Sequence, residues 1–230
     1  MAAGWRTGWS AARSFWLLAF GGTVLEFLAS MPLSGFRVDE HQGVCVLRLW
    51  SKDETNRLTR KCVLSLTDAV GELAWEKRPI VVAGNERFFS AGAELEEISA
   101  LDGPSAYEFS KLGQALMEAI DQFPVPVYAA ISGYCMGGGL DLALACHHRI
   151  ASPHAVFGHR GAALGLITGW GGTQRLPRLI GKGRAMEMFV AAEKVTAAQA
   201  LRMGLVDAIA ADPVAEAVRR IAQGHGERFV

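Results

Sequence analysis

The chain has 230 residues, of which 50% are hydrophobic and 20% charged, with 23 basic and 23 acidic side chains. This length and composition allow a full hydrophobic core, and we expect one domain with short appendages. The balanced charge provides no basic surface for a nucleic acid and no charged run typical of a disordered tail, so it argues against both.

The N-terminal segment differs in composition from the rest of the chain. It contains three tryptophans and an apolar run over residues 15–25, which Glu26 ends. A membrane span needs about 20 apolar residues, so this run is too short to cross a membrane. A secretory signal would continue its apolar region where the chain has Glu26. We therefore expect residues 1–33 to be an extension outside the fold and residues 34–230 to be the domain.

A hairpin and a helix are predicted next. Residues 36–40 and 44–49 alternate apolar with polar side chains around a short turn, which is typical of a β-hairpin. Thr59 can cap a helix that continues to residue 75. The apolar residues of that helix recur at helical spacing and are Val63, Leu66, Val70 and Leu73.

Two later stretches each combine a strand, a loop of small residues and a helix start. In the first, a β-branched run at 80–82 precedes Ala-Gly-Ala at 91–93, and Glu94 opens a helix whose first turn is acidic. In the second, an apolar strand at 127–131 precedes three glycines and a short apolar helix ending near residue 145. Glycines there let the backbone approach a ligand, and free amides at a helix N-terminus favour an anion or a developing oxyanion. A close-packed turn without a ligand is the alternative for the second stretch taken alone.

The remaining patterns predict more helices and short strands. An apolar helical face after Pro104 consists of Tyr107, Leu112, Leu116 and Ile120. Short strands are expected at 149–151 and 155–157, and helices at 182–192, 197–203 and 213–223. Strands alternating with helices of this length indicate parallel strand–helix–strand units, and therefore an α/β fold.

Three ordered motifs resemble those of the crotonase superfamily, the enoyl-CoA hydratases and isomerases. They are Phe-Phe-Ser-Ala-Gly-Ala-Glu at 88–94, Met-Gly-Gly-Gly-Leu-Asp at 136–141 and Gly-Trp-Gly-Gly-Thr-Gln-Arg-Leu-Pro at 169–177. The resemblance covers roughly residues 36–211. It implies a crotonase-like ββα spiral of repeated strand–strand–helix units, with the C-terminal helical part shortened.

The resemblance also implies a substrate and a way to bind it. The substrate would be an acyl-CoA thioester whose carbonyl oxygen accepts hydrogen bonds from the amides of Ala93 and Gly138, an oxyanion hole that stabilises an enolate. No separate cofactor or metal is expected, since coenzyme A is part of the substrate. The substrate-binding residues expected on this basis are Ser90, Ala91, Gly92, Ala93, Glu94, Gly137, Gly138, Gly161 and Trp170.

Hydratases of this family use two glutamates for proton transfer, and this chain departs from that pattern. The first position is Asp141, where dienoyl-CoA isomerase relatives also carry aspartate; a carboxylate that only suits the helix dipole is the alternative. The second position is Gly161, as in relatives that form dihydroxynaphthoyl-CoA, where an anion such as bicarbonate can stand in. His159 is the nearest titratable candidate, expected on the same strand face as Gly161, and a structural histidine is its alternative.

These features predict an enoyl-CoA hydratase/isomerase-like enzyme. A single-acid isomerase, decarboxylase or C–C bond enzyme and a non-catalytic acyl-CoA-binding protein remain alternatives.

The four cysteines lie without metal-site spacing and predict reduced thiols of a cytoplasmic protein, and no membrane partner is expected. The homotrimer or hexamer that the resemblance suggests is weakened by the short C-terminus. Adjacent residues diverge on a helix, so His147 and His148 do not predict a metal site.

Overall fold

The computed structural model of the protein describes residues 23–31 and 33–224. Its strands are β1 Phe36–His41, β2 Val44–Leu49, β3 Ile80–Ala83, β4 Phe88–Ser90, β5 Val127–Ile131, β6 Tyr134–Met136, β7 His148–Ala151, β8 Val156–Gly158, β9 Val195–Thr196 and β10 Ala208–Ile209. Its α-helices are α1 Val24–Ser30, α2 Arg60–Trp75, α3 Leu95–Ser99, α4 Gly103–Asp121, α5 Gly138–Ala145, α6 Gly172–Ile180, α7 Lys182–Val190, α8 Ala197–Arg202 and α9 Pro213–Ala222. A 3₁₀ helix covers Gly161–Leu164.

The strands form two sheets. The six-stranded sheet has the order β1-β2-β3-β5-β7-β10, antiparallel between β1 and β2 and parallel elsewhere. The four-stranded sheet has the order β4-β6-β8-β9, with β9 antiparallel to β8. Each successive pair, β3–β4, β5–β6 and β7–β8, places one strand in each sheet before the chain turns into a helix. This repetition confirms the predicted ββα architecture.

Strand β2 shows how the larger sheet is buried on both faces. Cys45 and Leu47 pack into the main core, whereas Val44 and Val46 pack into a second cluster with residues of α9. Alternate side chains of a strand point to opposite faces, so a sheet covered by helices on both sides needs apolar residues at every position. The main core lies between this sheet and helices α2, α4 and α5, and it includes Phe89 of β4 and Cys135 of β6.

The local predictions hold for the hairpin and for α2. Strands β1 and β2 pair antiparallel, and Thr59 caps α2 by accepting a hydrogen bond from the Cys62 amide. The face predicted for α4 is partly wrong, because Tyr107 is 63% exposed. The buried residues of α4 are Phe109, Gly113, Leu116, Met117 and Ile120. Helix α6 was not predicted at all.

Helix α1 corrects the predicted domain boundary. Val24, Phe27 and Leu28 are buried, and their spacing puts them on one helix face against the core. Glu26 forms a capping box with Thr23 at the start of this helix. Residues 24–30 therefore belong to the fold, and the expectation that they form an outside extension is wrong. The rest of the predicted extension, residues 1–22, lies outside the described residues.

In the described ranges no helix is long and apolar enough to cross a membrane. All four cysteines are buried free thiols, and burial raises the pKa of Cys45, Cys62 and Cys146 to about 12.

Candidate active site

Two loops from the smaller sheet meet at one point. Strands β4 and β6 are parallel neighbours, so the loops at their carboxyl ends leave the sheet side by side. A Cβ placed on Gly92 would lie 3.1 Å from the amide nitrogen of Gly138, and one on Gly138 would lie 3.2 Å from that of Ala93. Gly92 and Gly137 adopt positive φ values of 97° and 52°, which other residues rarely adopt. Small residues are therefore required by the backbone path as well as by the close contact.

The amides of Ala93 and Gly138 face an open volume. Both residues line a cavity of about 1170 Å³, and neither amide donates a hydrogen bond to another described residue. The parallel bridge between Leu58 and Ala93 uses the Gly92 carbonyl and the Glu94 amide, which leaves the Ala93 amide free. Gly138 begins α5, where first-turn amides have no partner within the helix. We call these two amides the amide corner.

Trp170 closes one side of the amide corner. Its side chain is only 3% exposed and packs on Phe109, with ring centroids 5.3 Å apart. Its indole nitrogen donates to the Phe109 carbonyl oxygen at 3.3 Å. A Cβ on Gly138 would lie 2.6 Å from the ring, so the ring leaves room only for glycine there. Trp170 also lines the cavity.

Asp141 lies one turn into α5 and is only 1% exposed. The Thr168 hydroxyl donates a hydrogen bond to its Oδ2. Its Oδ1 lies 3.4 Å from Nε2 of His159. The carboxylate also faces the backbone amides of Trp170 and Gly172 at the start of α6, an end of a helix that favours negative charge. We call Asp141, His159 and Thr168 the carboxyl corner.

Burial controls the protonation of the carboxyl corner. It raises the pKa of Asp141 to about 7, against the opposing effects of the Thr168 hydroxyl, the Arg175 guanidinium and the two backbone amides. It lowers the pKa of His159 to about 4, because a charged imidazole would also be desolvated. The His159 ring packs on Phe189, with centroids 5.0 Å apart. At neutral pH the imidazole is therefore neutral, and Asp141 can be present in both its acid and base forms.

The sequence of this chain matches a known protein family. The sequence model of the enoyl-CoA hydratase/isomerase family matches residues 39–225. The chain belongs to the enoyl-CoA hydratase/isomerase family. The recognition of a crotonase superfamily member from its motifs is thereby confirmed.

Individual relatives agree with this assignment. A probable enoyl-CoA hydratase of Bacillus subtilis is 44% identical over 144 residues, which are 62% of this chain and 55% of the relative. A crotonyl-CoA hydratase of Syntrophomonas wolfei is 34% identical over 182 residues, 78% of this chain and 70% of the relative. The solved structure of DspI from Pseudomonas aeruginosa superposes with a TM-score of 0.80 at 33% identity, covering 85% of this chain and 76% of that one. The chain thus spans little more than half the length of the Bacillus subtilis relative.

Gly161 stands where the resemblance led us to expect a second carboxylate, and glycine has no side chain that could carry one. It lines the cavity at the start of the 3₁₀ helix, and a Cβ there would lie 2.7 Å from the Leu166 carbonyl oxygen. Strand β8 ends at Gly158, so the prediction that His159 and Gly161 share a strand face is wrong. Of the described residues that line the cavity, Asp141 is the only one with a carboxylate.

Two predicted substrate-binding residues serve the loop instead. Ser90 is fully buried; its hydroxyl donates to the Asn56 carbonyl oxygen and accepts from the Gly92 amide. Glu94 caps α3 and forms an ion pair with Arg57 at 2.9 Å. Neither residue lines the cavity, whereas Ala91, Gly92 and Gly137 do.

Sequence reasoning missed Thr168, Gly172 and Arg175, which surround Asp141. A side chain on Gly172 would collide with the Asp141 carboxylate and would lie 3.1 Å from His159 Nε2. The signal available was the pair of glycines next to Trp170, since glycine often marks a close backbone approach. The imidazoles of His147 and His148 have separate contacts, with the Val127 amide and the Tyr128 ring.

Proposed function

We propose that this chain acts on an unsaturated acyl-CoA thioester and moves a proton next to its carbonyl group. The observation that carries the proposal is the pair of free amides, Ala93 and Gly138, in one cavity with a single buried carboxylate, Asp141. The names of the relatives, which include a crotonyl-CoA hydratase, support the substrate class.

The amide corner would bind the thioester oxygen. As a C–H bond beside the carbonyl breaks, its electron pair passes into the carbonyl group and leaves negative charge on that oxygen. Two backbone donors from Ala93 and Gly138 stabilise this charge without reorganisation, and one such donor typically contributes about 3 kcal/mol. The apolar remainder of the cavity wall, including Leu164, Ile167 and Met186, suits the hydrocarbon part of the substrate.

Asp141 would carry the proton. Its carboxylate removes a proton from the carbon beside the thioester, and the resulting acid returns the proton to another carbon of the conjugated enolate. The burial that raises its pKa to about 7 lets one group act as base and then as acid near neutral pH. One carboxyl serves both steps, so double-bond isomerisation fits this cavity better than hydration by two carboxylates.

The test is a turnover assay with enoyl-CoA esters that differ in double-bond position. Hydration adds the mass of one water, whereas isomerisation keeps the mass and changes the chromatographic position. We expect isomerisation to be the faster reaction. In Asp141→Asn, which keeps the shape and removes the base, we expect kcat to fall by about 10²- to 10⁴-fold with little change in KM.

Asp68→Asn is the matched control, because Asp68 is a helical carboxylate of α2 that does not line the cavity. It should retain full turnover. Unchanged turnover in Asp141→Asn would remove Asp141 from the mechanism. Binding of enoyl-CoA esters without any turnover would instead support the acyl-CoA-binding alternative. The predicted homotrimer or hexamer and cytoplasmic location stay predictions; light scattering tests the first.

A further inference from the structure

Two polar atoms of the carboxyl corner are left without a hydrogen-bond partner. Asp141 Oδ1 and His159 Nε2 are both buried, and neither has a partner elsewhere among the described residues. They lie 3.4 Å apart. Asp141 Oδ2, in contrast, accepts from the Thr168 hydroxyl. Burying an unpaired polar atom is costly, so two such atoms facing each other indicate that something joins them.

We infer that Asp141 and His159 share one proton between Oδ1 and Nε2, which makes His159 the second proton carrier of this site. The inference deepens the proposed function and rests on it, because it gives the imidazole a role in the same proton transfer. It also supplies a group where Gly161 leaves no carboxylate.

The surrounding structure keeps the two atoms together. Any side chain at residue 172 would enter the space beside both Oδ1 and Nε2, and glycine there leaves that space to the pair. Phe189 holds the imidazole from its ring face, and Thr168 fixes the carboxyl group from the Oδ2 side. With Oδ2 accepting from Thr168, Oδ1 is the carboxyl oxygen that lies next to His159 Nε2.

The charges around the pair favour a shared proton. The other charged or titratable groups that face Asp141 in the described structure are Arg175 from α6 and the Cys135 thiol from β6. Burial raises the pKa of Asp141 and lowers that of His159, so the neutral acid and the neutral imidazole coexist near neutral pH. In that state the carboxyl O–H can donate to the Nε2 lone pair. With the imidazole hydrogen on Nδ1, loss of the carboxyl proton would leave two lone pairs facing each other.

The proton transfer balances without another reactant. Asp141 takes a proton from the substrate carbon, whose electron pair remains in the enolate. The O–H bond on Oδ1 then breaks as an N–H bond forms on Nε2, giving an imidazolium beside a carboxylate. The reverse step returns the proton to Oδ1, and from there to the substrate.

The first test needs no substrate. In the ¹⁵N- and ¹³C-labelled protein, the imidazole nitrogens of His159 and the carboxyl carbon of Asp141 are followed by NMR from about pH 5 to about pH 9. We expect the Nε2 signal to change at the same pH midpoint as the Asp141 carboxyl signal, with much less change at Nδ1. Asp141→Asn should abolish that change. A Nε2 signal that stays constant through the Asp141 midpoint would overturn the inference.

The second test shows that the shared proton matters for turnover. We expect His159→Gln to lower kcat about 10- to 100-fold with little change in KM, and to move the pH midpoint of kcat. His154→Gln is the control, because His154 is an exposed histidine that does not line the cavity; its midpoint should equal that of the wild type. If the pH midpoint of kcat in His159→Gln equals that of the wild type, His159 has only a packing role. Absence of turnover in the wild type would overturn the proposed function. The NMR result would still show whether Asp141 and His159 share a proton.

Discussion

The amide corner and the carboxyl corner both line one cavity, and they are built differently. The first uses main-chain amides of two neighbouring loops, so it depends on residues that have almost no side chain. The second uses side chains from α5, from the residue after β8 and from the loop before α6. A main-chain site cannot change its donors without changing the backbone path. A side-chain site depends on which groups the packing brings together, as with Asp141 and His159.

The largest effect is expected from breaking the amide corner. In Gly138→Ala the new methyl group would meet Trp170 at 2.6 Å and the Ala93 amide at 3.2 Å. We expect turnover to fall at least about 100-fold, as when one oxyanion donor is lost. Steady-state kinetics with an enoyl-CoA ester measures it, with circular dichroism to verify the fold.

The matched control for this substitution is Gly71→Ala. Gly71 lies in α2, is exposed and has no atom within 4 Å of an added Cβ. The change should leave turnover intact and stabilise the helix by about 0.5–1 kcal/mol. Full activity in Gly138→Ala would show that the substrate does not need both amides.

The carboxyl corner should show itself in the pH dependence of stability. The Asp141 pKa rises from 3.8 to about 7 on folding, so the folded chain binds more protons than the unfolded chain between these values. Stability is therefore lost as the pH rises through this window. Asp141→Asn removes this titration. The free energy of unfolding of Asp141→Asn minus that of the wild type should therefore be about 4 kcal/mol larger at pH 8 than at pH 4.

Urea unfolding at several pH values measures this difference. A difference between the two proteins that is the same at every pH would mean that the pKa of Asp141 is not raised on folding.

A smaller effect is expected from the support of the amide corner. Ser90→Ala removes the donor to the Asn56 carbonyl oxygen and the acceptor for the Gly92 amide, both in a buried loop. We expect a loss of about 1–3 kcal/mol in the free energy of unfolding. Ser99→Ala, at an exposed hydroxyl of α3, should change it by less than about 0.5 kcal/mol. Equal effects of the two changes would contradict the structural role of Ser90.

The smallest effect should come from Thr168→Val, which keeps the shape of the side chain. The Thr168 hydroxyl lowers the pKa of Asp141, so its loss should raise that pKa further. The pH at which turnover reaches half its maximum on the acid side should therefore move up. The pH profile of kcat checks this, with Thr67→Val in α2 as control. A downward shift would contradict the hydrogen bond to Oδ2.

The two corners also differ in how well the sequence predicts them. Alanine and glycine at two strand-to-helix junctions are local features that predicted two neighbouring amide donors, and the family resemblance implied that these are Ala93 and Gly138. The hairpin and the cap at Thr59 were predicted from local patterns as well. The prediction from strand alternation was wrong at His159 because β8 ends one residue earlier. No local pattern near Asp141 predicted its hydrogen bond with Thr168. The predicted domain boundary near residue 34 was misplaced because composition does not show where α1 packs.

The sequence by itself indicated the family through three motifs, and that resemblance implied the repeated strand–strand–helix order and the two amides. Such motifs are readable because small residues at strand ends constrain the backbone locally. Only the tertiary structure decided that Asp141 and His159 meet, that Ser90 and Glu94 support a loop, and that residue 161 has no room for a side chain. Those outcomes depend on desolvation and on contacts between residues distant in the chain. The protonation of the carboxyl corner follows from what packs around it.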